Sequence, residues 1–229
     1  MDSMQDKCYL CGSENDLTRD HVPPKNLFRG PLPSNLITAA CCRTCNVSFS
    51  KMEEQLRIFV SAAINRSADG EWIWKNKVLE STFRRSPALK SQLGKDLLIG
   101  NVKLLAGNIE LPMLTMDAEL VNKCLIKITR GLMTHFYPNL DHAALEFAAF
   151  ELNQFRVTPD WIRSLGVPYI YEERGNGQFR FLRALVDDDN RCGHWIYIFY
   201  DSISFVVHHD VRGNLMRPAH DVCQPVQTD

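Results

Sequence analysis

The 229-residue sequence has no run approaching the ~18 uninterrupted apolar residues of a membrane-spanning helix, so such a span is not expected. Met1-Asp2-Ser3-Met4-Gln5-Asp6-Lys7 lacks the apolar core of a secretion signal, and a cytoplasmic location is the expectation. Charge of one sign is lacking too: 26 Lys and Arg stand against 27 Asp and Glu. That balance excludes a protein coated all over with positive potential but leaves room for a local basic face. There is no internal repeat, heptad array or low-complexity tract, which excludes solenoids, coiled coils and flexible linkers. What remains is 45% hydrophobic and 23% charged, enough apolar content for a sizeable core in one domain or two modest ones.

Apolar residues Val47, Phe49, Met52, Leu56, Phe59, Val60 and Ala63 recur at steps of three and four, which predicts an amphipathic helix over about 44–64 with Ser67 to Gly70 as its exit. Ahead of it, Pro23-Pro24 and Pro31-Leu32-Pro33 indicate a loop between short strands near Leu17 to Val22 and Asn35 to Ala39. A second helix is expected from about Thr115 to Phe136, with Thr115 as its cap and Val121, Cys124, Leu125, Ile128, Leu132 and Phe136 on its apolar face. Asp141 is expected to cap a third, carrying Leu145, Ala148, Ala149 and Leu152. From Phe179 to Val207 the period changes to two, predicting a small antiparallel sheet, and the residues after about Arg217 read as a loose terminus. Residues 71–112 hold Trp72 and Trp74 among Lys75, Lys77, Arg84, Arg85, Lys90, Lys95 and Lys103. They read equally as a nucleic-acid contact or as a solvated surface beside two buried tryptophans. The expected architecture is α+β, with an N-terminal module over 1–68 and an α+β unit over 69–229.

The cysteines divide the chain chemically. Cys8, Cys11, Cys41, Cys42 and Cys45 crowd the first 45 positions, while Cys124, Cys192 and Cys223 are scattered. Cys8-Tyr9-Leu10-Cys11 and Cys42-Arg43-Thr44-Cys45 are two C-x-x-C pairs, each able to present two thiolates on one side of a turn. Together they suit a tetrahedral, structural zinc with no open coordination position. Cys41 is a spare thiol that could replace Cys42, although the two-residue spacing prefers Cys42. A redox pair would need a strand-to-helix setting and no second pair, and a zinc deaminase would need an H-x-E element where this chain has His21-Val22-Pro23. The remaining histidines, His135, His142, His194, His208, His209 and His220, lack ligand spacing.

Between the pairs lies Asp20-His21-Val22-Pro23-Pro24-Lys25, then Asn35 fourteen positions after His21, and the second pair is followed at once by Asn46. These elements, in this order over roughly residues 8–57, resemble the HNH endonuclease family, whose site is a ββα-metal finger, in its zinc-stapled HNN variant. The resemblance implies hydrolysis of phosphodiester bonds, in DNA ahead of RNA, with His21 activating water. Asp20 and Asn46 would hold a magnesium or manganese ion, Asn35 would hold the loop and orient His21, and Lys51 would contact phosphate. The family's lysine stands closer to the second pair than Lys51 does here. A histidine with an intrinsic pKa near ~6.5 suits a general base at neutral pH. Neighbours in a strand point to opposite faces, so Asp20 and His21 are expected at a bend or strand end if both are to reach one phosphate. The competing readings are a non-catalytic binding module and a nuclease active only with a partner complex. The C-terminal half would then select substrate, form a homodimer or bind a regulatory protein.

Overall fold

Strand, loop, strand and helix follow one another at the N-terminus, where the sequence pattern places them. A computed structural model describes residues 7–63, 65–95, 97–104, 107–114, 117–152, 168–186 and 190–213. Strands β1 (Leu17–Val22) and β2 (Ile37–Cys42) pair antiparallel, with Leu17 opposite Cys42 and Val22 opposite Ile37. Helix α1 (Arg43–Ala62) starts directly on β2, with the Cys42 sulfur accepting from the Cys45 backbone N–H as its cap. Its exit at Ser67 caps a further short helix, α2 (Ala68–Trp72), which runs into a π-helical stretch (Ile73–Thr82), α3 (Phe83–Arg85) and α4 (Pro87–Lys95). A hairpin, β3 (Leu97–Leu104) and β4 (Gly107–Leu114), precedes α5 (Ala118–Phe136).

The basic stretch before the hairpin is partly consumed within the fold. Lys77 donates to the carbonyls of Asn26 and Phe28, Lys75 pairs with Glu71, and Arg85 with Glu54. Trp72 packs against the core, and Trp74 meets Phe83 edge-on at 6.2 Å. This arrangement is that of a surface beside partly buried tryptophans. Lys95 and Lys103 have no described side chains.

Two expectations require correction. The cap of α5 is Asp117, whose carboxylate accepts from the Glu119 N–H, and Thr115 lies outside the described residues. No helix follows Asp141: it caps a single 3-10 turn (His142–Ala144), and the next residues form β5 (Leu145–Glu151). Leu145, Phe147 and Ala149 turn to the core, while Phe150 on the other face is 57% exposed. Apolar residues on both faces concealed a two-residue period that reads as helical. Strand β5 flanks a sheet that continues through β6 (Ile170–Arg174), β7 (Phe179–Leu185), β8 (Gly193–Phe199) and β9 (Ile203–Val211), in the order β5-β9-β8-β7-β6 and antiparallel throughout. The sequence after Arg217, with His220 and Cys223, lies outside the described residues.

Helix α5 joins the two halves. Val22, Ile37, Ala39, Leu56 and Val60 share one apolar cluster with Val121, Leu125, Ile128 and Leu132 of α5 and with Phe179, Trp195, Tyr197 and Phe205 of the large sheet. Cys124 is buried in it as a small core residue. The approach of α5 to β1 is close enough to require a glycine. A Cβ built on Gly131 would lie 2.5 Å from a Val22 methyl and 3.0 Å from the other. Gly131→Ala is expected to cost roughly 1–3 kcal/mol by overpacking, against only about 1 kcal/mol of gain in helix propensity. Chemical denaturation checks this, and an equal or more stable variant would contradict the packing of α5 on β1.

Candidate metal centre and the buried Asp20 site

The first C-x-x-C pair sits in a knuckle closed by Cys8 N–H to Ser13 O and Gly12 N–H to Cys8 O, both 2.8 Å. Gly12 takes φ +75°, a left-handed turn that glycine adopts without strain. Tyr9 N–H to Ala40 O, at 3.0 Å, ties the knuckle to β2, and the second pair opens α1. The Sγ atoms of Cys8, Cys11, Cys42 and Cys45 all lie within 4.8 Å of one another, forming a cluster able to bind a metal such as zinc. Four Zn–S bonds of ~2.3 Å give tetrahedral edges of about 3.8 Å, and Cys11 and Cys42 stand 3.7 Å apart. Burial opposes ionisation of Cys8, but N–H groups of Cys42, Cys11 and Leu10 outweigh it and bring the thiol down to about 6. Cys45 is pushed up by burial and by its sulfur neighbours, a repulsion that a divalent cation relieves. The donor set fits a structural zinc. Cys41 lies outside the four: fully buried, 4.0 Å from Cys8, it packs beneath them.

Asp20 and His21 occupy opposite faces of β1. The strand continues past both in regular register, with Asp20 opposite Ala39, His21 opposite Thr38 and Val22 opposite Ile37. The pair stands one residue short of the end of β1 at Val22, with no bend between the two, and alternation dictates where each side chain goes. His21 is half-buried on one face, its pKa held below the ordinary value by burial and by Lys25, with Asp20 opposing. Thr18, Asp20 and Val22 share the face turned to the helices. Asn46, in the first turn of α1, donates to Thr18 Oγ1 at 3.1 Å and so lies on the Asp20 side. Asn35 donates to the Glu173 carbonyl at 3.3 Å, fastening the loop to β6. Lys51 is exposed, roughly 140° around α1 from Asn46 at ~100° per residue. It lines a 340 Å³ cavity with Glu54, Gln55, Ser86, Ala88 and Leu89.

Asp20 itself is 6% exposed and engaged. Its Oδ2 accepts from Tyr9 Oη at 2.7 Å and pairs with Lys127 Nζ at 2.6 Å. Lys127 comes from α5, is 2% exposed, and also bonds Glu53, which follows Asn46 by two turns of α1. Burial lowers the proton affinity of Lys127, but Asp20 and Glu53 outweigh it and hold the ammonium charged. Burial raises the Glu53 pKa against the pull of Lys127. The Phe49 ring lies 5.4 Å below the ammonium.

Compared with known proteins, the chain matches no family model, no curated protein and no solved structure.

The divalent ion implied by the HNH resemblance does not fit beside Asp20 while Lys127 holds that carboxylate. An ion bonded at ~2.1 Å to the Asp20 oxygen that Lys127 holds would lie within about 5 Å of the ammonium, and at an effective dielectric of ~20 their repulsion is roughly 7 kcal/mol. Sequence reasoning missed Lys127, Glu53 and Tyr9. The available signal was a lysine one turn from both Cys124 and Gly131, hence on a helix face that packs inward. A second group with ligand chemistry gathers where Cys192, just before β8, meets His208 and Asp210 of β9. Cys192 is disulfide-bonded, which leaves it no thiolate to give.

Metal analysis of the purified protein should give one zinc per chain, lost in Cys11→Ser and Cys45→Ser together with the folded knuckle, and retained in Cys41→Ala. Zinc lost in Cys41→Ala but kept in Cys45→Ser would reverse the ligand assignment.

Proposed function

We propose that residues 8–57 form a zinc-stapled HNH-type module and that the chain hydrolyses phosphodiester bonds in DNA. The supporting observation is the coincidence of motif and placement. Asp20 and Asn46 lie on one face between β1 and α1, His21 follows Asp20 on the other face of β1, and the cysteine cluster gathers where the knuckle meets the start of α1. In this reading the neutral His21 imidazole takes a proton from the attacking water, a role worth typically 10²–10⁴-fold in rate. The zinc holds the module together and takes no part in the reaction, because four thiolates close its coordination.

A second reading, a binding module without hydrolysis, is favoured by one observation: Asp20 is already paired with Lys127. The two separate at His21. Supercoiled plasmid incubated with zinc-loaded protein, with and without millimolar manganese, should be nicked by the wild type and at least 10²-fold more slowly by His21→Ala. Both proteins should hold the same zinc and bind DNA alike. Equal nicking by both would remove His21 from the reaction, and binding without nicking would favour the module without hydrolysis.

A further inference from the structure

We infer that Lys127 is the resident cation of the Asp20 site and competes with any divalent ion for it, so that α5 acts as a built-in lock on the ββα module. The inference rests on the HNH-type reading only in taking Asp20 as the carboxylate a divalent ion would seek. Its own basis is the geometry. A 2%-exposed ammonium is delivered from a helix outside the motif, 2.6 Å from the Asp20 oxygen, and bonded also to Glu53. Among the described residues, the charged groups that act on it are Asp20 on β1 and Glu53 on α1, with the Tyr9 hydroxyl donating to the same Asp20 oxygen and the Cys41 and Cys124 thiols in its field. The Gly131–Val22 contact one turn further along α5 holds the helix against β1 and so keeps the root of the Lys127 side chain beside Asp20. Release takes a turn of that side chain out of the pair, a movement of α5 or the loss of the lysine charge. With the lysine charge removed, two neighbouring carboxylates remain, a hard oxygen donor set of the kind magnesium and manganese prefer.

The probe is manganese, counted by electron paramagnetic resonance on zinc-loaded protein, in the wild type, Lys127→Met, Asp20→Asn and the Asp20→Asn/Lys127→Met double variant. Lys127→Met should bind one manganese at least tenfold more tightly than the wild type, and Asp20→Asn should cancel that gain. Equal affinity in wild type and Lys127→Met, or a gain that survives Asp20→Asn, would overturn the lock. If Lys127→Met fails to fold, the wild type against Asp20→Asn still decides it: micromolar manganese binding that depends on Asp20 in the wild type overturns the inference, and none supports it. A Lys127→Met protein that binds manganese through Asp20 yet leaves plasmid uncut would support the lock while removing the nuclease reading. Tight Asp20-dependent binding in a wild type whose nicking needs His21 would do the reverse.

Discussion

The Lys127 ammonium, buried between Asp20 and Glu53, is the constraint around which the two halves of the chain are arranged. Taking three charges out of water is expensive, and the cost is offset only when each has close partners of opposite sign and hydrogen bonds to spare lone pairs. Tyr9 supplies one such bond, and the Phe49 ring supplies a polarisable face. The same contact fixes position: a lysine on α5 meets β1 and α1 at once, so the helix has one azimuth in which its charge is satisfied. The apolar residues of α5 on either side of Lys127 then face the strands on one flank and the large sheet on the other.

A second clamp works at the other end of the strands. A two-stranded ribbon is marginal by itself, and a finger of this size draws its stability from a metal or from packing on a larger body. This chain has a cluster able to hold the metal and a helix that supplies the packing. The cysteine cluster joins the knuckle to the β2–α1 junction, and α5 covers the interior face of β1. The consequence for chemistry is that His21 and Asp20 are partitioned. One lies half-buried on the outer face, the other in the charged interior.

Much of this was legible in residues close to one another in sequence. The prolines after Val22 end β1, the three-and-four spacing of Phe49 to Val60 yields α1 although Val47 ahead of Phe49 is exposed, and two Cys-x-x-Cys pairs come together because a turn and a helix start each present both thiols to one side. Asn46 falls on the Asp20 face because the second pair opens the helix. What stayed hidden was set by distant partners. Spacing from Cys124 and Gly131 turns Lys127 inward, but nothing local names Asp20, 107 positions earlier, as its partner. Strand β5 was hidden for a related reason: Ala148 and Phe150 are apolar without being core, and only pairing with β9 reveals which face is inside.

A double-mutant cycle on Asp20 and Lys127 most directly tests whether this buried pair organises the structure. Unfolding free energies would be measured by chemical denaturation for zinc-loaded wild type, Asp20→Asn, Lys127→Met and the double variant. The account predicts that each single change is severe, up to about 3–5 kcal/mol, because it leaves a buried charge short of a partner, and that the double variant costs less than the sum of the two by about 1–3 kcal/mol. Additive effects within about 0.5 kcal/mol would contradict it, showing that the two side chains do not depend on each other in the folded protein.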